Sequence, residues 1–306
     1  MRKKILFVPG KNPKPDPQKH IHYLRRCLLE GVSRHSPQVA EEILEQNAFE
    51  LCAWNHDFYQ QHLDFSPLLN SLDDVCRKNR ATAKDKIFAQ TWKIAISRMI
   101  YQIGDQFPWL IDWLADDHVK AMMHDTDRYF DNVEGIADKV RRTLAESILD
   151  CTKHCKILVV GHSMGSIIAF DTLFELQRRR PNEKLVDVFL TLGSPLGLKY
   201  TQERLLGFSR SDPEKLPANI QTWHNVSAKG DLVSVDTQLA NDFGLMKKAG
   251  LIDDIIDHKS QVFNWYRNLE GYNFHSSYGY LVEPTASKII SDWWLRHSSE
   301  EEKNDG

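Results

Sequence analysis

One short stretch of the chain combines a polar pair with two glycines in a way that could support nucleophilic chemistry. The sequence GHSMG, at residues 161–165, holds Ser163 between two glycines. A serine hydroxyl becomes a useful nucleophile when a histidine accepts its proton and a carboxylate orients that histidine. Ser163 is therefore the candidate nucleophile, and other parts of the chain must supply a base and an acid.

The residues around GHSMG favour a sharp turn between a buried strand and a helix. An apolar run, Ile157–Val160, leads into the motif, and apolar residues at helical spacing follow it. Such a turn leaves no room for side chains at the two glycines, and it raises Ser163 to the carboxyl end of the sheet. The backbone N–H of Met164 would open the helix as one oxyanion donor. The alternative is a structural turn with an inert serine.

Three stretches of the chain resemble the serine lipases and esterases of the α/β-hydrolase superfamily. They are VVGHSMGSIIAFD at 159–171, TLGSPLG at 191–197 and NFHSSYGYLVEP at 273–284. The first two are also loosely similar to intracellular DDHD-type phospholipases. The resemblance covers most of the chain outside a helical insertion, and it implies that an acidic residue and then a histidine follow the nucleophile in the chain.

His275 is the candidate base. It lies in the small-residue loop FHSSYGY, shortly before a last helical pattern at residues 285–296, and the superfamily holds its catalytic histidine at such a place. His258 and His297 are interpreted as solvated surface groups. His224, within the candidate strand TWHNVSA, is interpreted as a satisfied core or edge histidine.

Asp231 is the candidate acid that orients the base. It directly follows a candidate strand, and Gly230 beside it allows the chain to turn sharply. Asp236 is the alternative, because a register error of one turn would exchange the two residues. For either aspartate, a role in a turn or at a helix N-cap is the competing interpretation.

A second oxyanion donor is expected from the loop after the first strand, VPGKNPKPD. Gly10 permits close approach of the backbone to a substrate, and the N–H of Gly10 or Lys11 is available, whereas the prolines have none. The superfamily often carries His-Gly here, but this chain has Pro9-Gly10. The Lys11 side chain either meets an anionic head group or is solvated.

The rest of the sequence predicts the elements that must position these residues. Helical patterns at 18–34, at 133–149 and from the motif to Pro181 separate short apolar runs. This alternation predicts an α/β fold with a mostly parallel sheet and helices on both faces, which agrees with the α/β-hydrolase fold that the resemblance implies. The candidate strands are Ile5–Val8, Phe49–Ala53, Ile157–Val160, Val186–Leu192 and Thr222–Ala228.

We predict a single domain over residues 1–297 with a large helical insertion, at about 60–132, before the nucleophile strand. Apolar stripes in this insertion, which include Trp92 and Trp113, either pack on each other and on the sheet or line an acyl pocket as a cap. The tail, residues 298–306, is polar and acidic and is predicted to be disordered.

The composition argues against several classes of function. The chain has 306 residues with 39 basic and 42 acidic side chains, so its net charge of −3 creates no field for nucleic acid. The five cysteines are odd in number and irregularly spaced, which predicts no disulfide framework and a cytoplasmic location. No apolar run approaches the roughly 20 residues that span a bilayer. Contact of the insertion with a membrane surface is compatible with the sequence, which does not indicate an oligomeric state.

These patterns predict a serine hydrolase that cleaves carboxylic esters, esterase-like or lipase-like, through an acyl-enzyme on Ser163. His275 would protonate the leaving alcohol and then activate water, and this chemistry requires no metal or organic cofactor. The expected substrate is a small-molecule ester or a lipid-like ester. Two alternatives stay open: a catalytically idle scaffold that binds a partner, and a thioesterase or acyltransferase with the same Ser–Asp–His triad.

Overall fold

Parallel strands and the helices that cover both faces of their sheet make up the computed structural model. The structure describes residues 2–91, 125–152, 155–234 and 236–304, and for residues 299–304 it describes the backbone alone. Residues 92–124, the central part of the predicted insertion, lie outside the described residues.

Six strands form one sheet in the order β2-β1-β3-β4-β5-β6, and every neighbouring pair is parallel. A short antiparallel hairpin, β7 and β8, lies outside this sheet. The predicted α/β class is confirmed. The strands are β1 Arg2–Val8, β2 Phe49–Leu51, β3 Cys155–His162, β4 Val186–Leu192, β5 Ile220–Val226, β6 Asp254–His258, β7 Arg267–Asn268 and β8 Gly271–Tyr272.

Helices connect the strands and flank the sheet. In the described ranges they are α1 Pro17–Ser33, α2 Pro37–Glu45, α3 Trp54–Tyr59, α4 Leu69–Arg77, α5 Ala83–Ala89, α6 Ile136–Thr152, α7 Met164–Arg179, α8 Lys199–Gln202, α9 Leu239–Asp242, α10 Gly244–Lys248, α11 Ser277–Val282 and α12 Pro284–Asn304. Residues 125–130 are also helical. None of the helices in these ranges has the length and apolar character needed to cross a bilayer.

Alternate residues of the central strands enter two different cores. Ile5 and Phe7 of β1 pack in the cluster that includes the helices α1 and α12. Leu6 and Val8 pack on the other side, with α6 and α7. Because both faces of β1 are buried, the strand is an unbroken apolar run in the sequence, and such runs identified four of the six strands clearly.

The last strand of the sheet, β6, was not predicted. Its sequence, Asp254–His258, is DIIDH, so three of its five residues are polar or charged. β6 lies at the edge of the sheet and pairs with β5 alone. An edge strand exposes one side to solvent, and its sequence therefore lacks the continuous apolar run that marks the central strands.

The strand order creates a crevice at the carboxyl ends of β1 and β3. From β1 the chain passes to β2 on one side, whereas β3 lies on the other side of β1. Connections that diverge from neighbouring strands leave an opening between them, and ligands of open α/β sheets bind there. The loop after β1 and the GHSMG turn after β3 both border this opening.

The described ends of the predicted insertion contain helices, and the described part of the tail is helical. Within residues 60–132, α4, α5 and residues 125–130 are helical. The last helix, α12, continues to Asn304, so the backbone of most of the tail that was expected to be disordered is helical. That the insertion caps the site stays a prediction.

Because α1 packs closely on α11, we expect one added methyl group at Gly31 to lower the free energy of unfolding. A Cβ atom on Gly31 would lie 2.3 Å from the carbonyl oxygen of Leu281, so Gly31→Ala must push the two helices apart. We expect the free energy of unfolding in urea to fall by about 1–3 kcal/mol. The matched control is Gly244→Ala, because its Cβ would meet no atom within 4 Å. Equal stability of the two variants would contradict this packing.

Candidate active site

The GHSMG motif forms the turn between β3 and α7. Ser163 lies between the last residue of β3 and the first residue of α7, with φ at +53° and ψ at −129°. A non-glycine residue rarely adopts such a backbone, which costs on the order of 1–3 kcal/mol. The Ser163 N–H donates to the carbonyl of Leu192 at the end of β4 (3.0 Å), so the neighbouring strand helps to hold this conformation.

The two glycines of the motif allow contacts that side chains would block. A Cβ on Gly165 would lie 2.1 Å from the carbonyl oxygen of Val8, at the end of β1. A Cβ on Gly161 would lie 2.7 Å from Cα of Ser166. The turn is therefore packed directly on the end of β1, which is the close backbone approach that the sequence predicts.

Ser166 ties the turn to the loop after β4. Its hydroxyl donates to the carbonyl of Ser163 (2.6 Å) and lies 2.7 Å from Oγ of Ser194. Ser194 also accepts from the N–H of Leu196 (3.2 Å). The stretches VVGHSMGSIIAFD and TLGSPLG, which both resemble serine lipases and esterases, therefore meet through a pair of buried hydroxyls.

His275 and Asp231 lie side by side in the structure. Nδ1 of His275 is 3.0 Å from Oδ1 and 2.9 Å from Oδ2 of Asp231. Because a carboxylate accepts, Nδ1 carries the proton in this arrangement and Nε2 keeps a free lone pair. His275 is thus oriented as a base requires.

The Asp231 carboxylate is fully buried and fully hydrogen-bonded. It accepts from the hydroxyl of Tyr280 (2.6 Å) and from the N–H of Val233 (2.9 Å), as well as from His275. Burial alone raises the pKa of Asp231, but His275 and these hydrogen bonds outweigh it and hold the pKa below its ordinary value. The carboxylate is therefore ionised at neutral pH.

Asp236, the alternative acid, stabilises a local turn instead. Its Oδ1 accepts from the N–H of Gln238 (2.9 Å), two residues later. No hydrogen bond of the described residues joins it to His275. The structure thus brings Asp231, and not Asp236, against the candidate base.

Ser163 and His275 line one cavity of about 460 Å³, a volume that suits a small ligand. The hydrogen bonds of the His275 ring in the described chain go to Asp231, and none joins it to Oγ of Ser163. Hydrogen bonds between a base and a nucleophile are often long without substrate and shorten in the complex. The arrangement is compatible with proton transfer once a ligand fills the cavity.

His162, directly before Ser163, holds the loop that carries His275. Its Nε2–H donates to the carbonyl of His275 (2.7 Å). Burial, followed by the charges of His275 and Lys14, keeps the pKa of His162 well below its ordinary value, so the ring is neutral. Sequence analysis missed this residue, and the only signal for it was its place inside the motif.

Trp54 and Asn55 of α3 hold the loop after β1 from behind. Trp54 Nε1 donates to the carbonyl of Pro9 (2.8 Å), and Asn55 Nδ2 donates to the carbonyl of Gly10 (2.8 Å). In a trans peptide the N–H points opposite to the C=O. The N–H groups of Gly10 and Lys11 therefore point away from α3.

Together with the N–H of Met164, these two N–H groups stay the candidate oxyanion donors. Gly10 and Lys11 line the cavity, whereas Trp54 and Asn55 do not. A Cβ on Gly10 would lie 2.8 Å from Cβ of Ser163, so the loop passes against the nucleophile. No hydrogen bond of the described residues uses the three N–H groups. Trp54 and Asn55 were not predicted, because only the fold brings α3 behind this loop.

The other downstream histidines do not line the cavity. His224 Nδ1 and His258 Nε2 lie 3.0 Å apart at the edge of the sheet. His297 is only 6% exposed and its Nε2 is 3.8 Å from Oδ1 of Asp187. The expectation that His297 is a solvated surface group is therefore wrong, because α12 packs that face against the sheet.

The described residues contain no group of three or more His, Cys, Asp or Glu side chains that could hold a metal ion. All five cysteines are free thiols. The thiols of Cys27 and Cys76 form a hydrogen bond, with 3.7 Å between their sulfur atoms, and no disulfide joins them.

We expect loss of the Asn55 amide to misplace the candidate oxyanion donors of Gly10 and Lys11. We expect Asn55→Leu to lower kcat for a chromogenic ester about tenfold to a hundredfold with little change in KM, because the Gly10–Lys11 peptide loses its anchor. The matched control is Asn241→Leu on the exposed face of α9. Circular dichroism and urea unfolding establish that both variants fold. A kcat of Asn55→Leu equal to that of the control would show that the loop needs no anchor.

Comparison with known proteins agrees with this geometry. Residues 116–247 match a family model described as "Putative serine esterase (DUF676)", and this region contains Ser163 and Asp231 but not His275. No curated protein and no solved structure matches the chain significantly. The narrower similarity to DDHD-type phospholipases stays a prediction. The match confirms the resemblance to serine esterases over this region and supports a serine hydrolase-like activity.

Proposed function

We propose that this protein hydrolyses carboxylic esters through an acyl-enzyme on Ser163. The observation that carries the proposal is the hydrogen bond from His275 to the buried carboxylate of Asp231, because His275 lines the same cavity as the strained serine. A structural turn has no need of an oriented imidazole beside it, nor of an ionised carboxylate behind that imidazole. The match to the serine esterase model supports the same reaction class.

In the first half of the reaction Ser163 attacks the ester. Its Oγ forms a bond to the carbonyl carbon while Nε2 of His275 takes the hydroxyl proton. The carbonyl oxygen becomes an oxyanion, and the N–H groups of Met164 and of Gly10 or Lys11 donate to it. His275 then gives its proton to the departing alcohol, which leaves an acyl group on Ser163.

In the second half water removes the acyl group. His275, neutral again, takes a proton from a water molecule that attacks the acyl carbon, and then returns a proton to Oγ of Ser163. Asp231 stays ionised throughout and stabilises the imidazolium each time it forms. Leu63, Phe65 and Leu68 supply an apolar wall of the cavity that suits a short acyl chain.

Fluorophosphonate labelling tests the activated serine without knowledge of the substrate. We expect the wild-type protein to be labelled and Ser163→Ala to lose the label completely, because the probe traps an activated hydroxyl. Ser209→Ala, at an exposed serine, is the matched control and should be labelled like the wild type. A folded wild-type protein that takes no label would favour an idle scaffold.

Two aspartate variants test the assignment of the acid. We expect Asp231→Asn to lower kcat for 4-nitrophenyl acetate about a thousandfold or more, because the amide favours the wrong histidine tautomer. Asp236→Asn should stay within about threefold of the wild type, since a turn residue does not touch the reaction. The reverse order of effects would identify Asp236 as the acid.

A further inference from the structure

Two lysines of the loop after β1 line the cavity that holds Ser163. Lys11 and Lys14 are both half-buried there. Lys14 Nζ donates to the carbonyl oxygen of Lys11 (2.6 Å), so its ammonium lies against the segment that supplies the oxyanion donors. In the described part of the chain neither lysine forms an ion pair.

Hydrogen bonds from outside the loop fix the backbone that carries these lysines. The hydroxyl of Tyr59 accepts from the N–H of Asn12 (2.9 Å), and Leu63 N–H donates to the carbonyl of Lys14 (2.8 Å). Asn55 Nδ2 also reaches the carbonyl of Asn12 (3.2 Å). The two cationic side chains therefore start from a rigid frame, which reduces the entropy lost when they bind a ligand.

The environment of the two ammonium groups favours a negatively charged ligand. Burial lowers the pKa of Lys11 to about 8, with Asp125 opposing the shift, and burial and then Lys11 lower that of Lys14 to about 8. Both groups are thus mostly charged at pH 7 while they are partly withdrawn from water. A cation without a close anionic partner is costly there, and an anionic ligand would offset that cost.

Two asparagines that line the cavity also offer hydrogen-bond donors to a ligand. Asn268 and Asn273 use their side-chain oxygens to accept from the N–H groups of Glu270 (3.0 Å) and His275 (3.1 Å). Their NH₂ groups donate to no other described residue. The carboxylate that lines the cavity, Asp125, already accepts from the Tyr59 hydroxyl (3.0 Å). Donors that face a cavity with two cations suit a carboxylate or a phosphate.

We propose, on the basis of the ester hydrolysis proposed above, that the substrate is an anionic ester and that Lys14, assisted by Lys11, binds its carboxylate or phosphate. The anion lies along the loop after β1, beside the carbonyl that Ser163 attacks. The lysines act as specificity-determining residues: they lower the KM for charged esters and leave the chemistry of the acyl transfer to the serine and the histidine.

Matched pairs of esters test this subsite. Mono-(4-nitrophenyl) glutarate is compared with its methyl ester, 4-acetoxybenzoate with its methyl ester, and 4-acetoxyphenyl phosphate with phenyl acetate. The first pair places the anion on the acyl side, the second and third on the alcohol side as carboxylate and phosphate. We expect the charged member of at least one pair to have a kcat/KM about tenfold higher, through KM.

The lysine variants identify the group responsible. Lys14→Met keeps the apolar stem and should reduce the preference for the charged ester at least about fivefold, whereas Lys14→Arg should retain it. Lys19→Met, at an exposed lysine outside the cavity, is the matched control and should change nothing. Hydrolysis of the esters without a preference in any pair, or an equal loss for charged and uncharged esters in Lys14→Met, would overturn the proposal, since Lys14 would then only hold the loop or the oxyanion.

A binding measurement separates this proposal from the hydrolase itself. Titration calorimetry with each of the three charged esters is performed on Ser163→Ala and on the double variant with Lys14→Met. Binding that the second substitution weakens about tenfold supports the anion site, even if the wild-type protein hydrolyses no ester. Absence of that difference, in a protein whose Ser163 takes the fluorophosphonate label, overturns the anion site and leaves the hydrolase proposal standing.

Discussion

Gly165 brings the start of α7 against the last residue of β1, and the geometry of the site follows from this contact. A side chain at this position would meet the carbonyl of Val8 at 2.1 Å, so only glycine allows the turn to lie there. The same approach places Ser163 beside Gly10, at the point where the connections from β1 and β3 diverge. The candidate nucleophile and the candidate oxyanion loop are therefore neighbours because two parallel strands are neighbours.

Burial and hydrogen bonding give the charged groups in and behind the cavity different roles. Asp231 is buried deeply but accepts several hydrogen bonds, so it stays ionised and orients His275. Lys14 is also withdrawn from water, and its close partner among the described residues is a backbone carbonyl. A buried charge whose hydrogen bonds are all made can position its neighbour. A buried charge that lacks an anionic or cationic partner favours a ligand of opposite sign.

Hydrogen bonds from outside the cavity hold the strained backbone of Ser163 and the loop after β1 in place. The backbone of Ser163 is held by the end of β4, and the loop after β1 is held by α3. Each of these contacts joins segments that are distant in the chain. The strained backbone of Ser163 persists because contacts from the surrounding structure hold it in this conformation.

The sequence by itself determined the α/β class, the turn that carries Ser163 and the loops that carry the other candidates, because these depend on local patterns. Strands buried on both faces are continuous apolar runs, and a tight turn needs its glycines. Tertiary structure alone decided which aspartate meets His275, which is 44 residues away, and that His162 binds a carbonyl 113 residues away. It also revealed β6 and the support from Trp54 and Asn55. Contacts between distant segments depend on how the elements pack, and no periodicity within one segment records that packing.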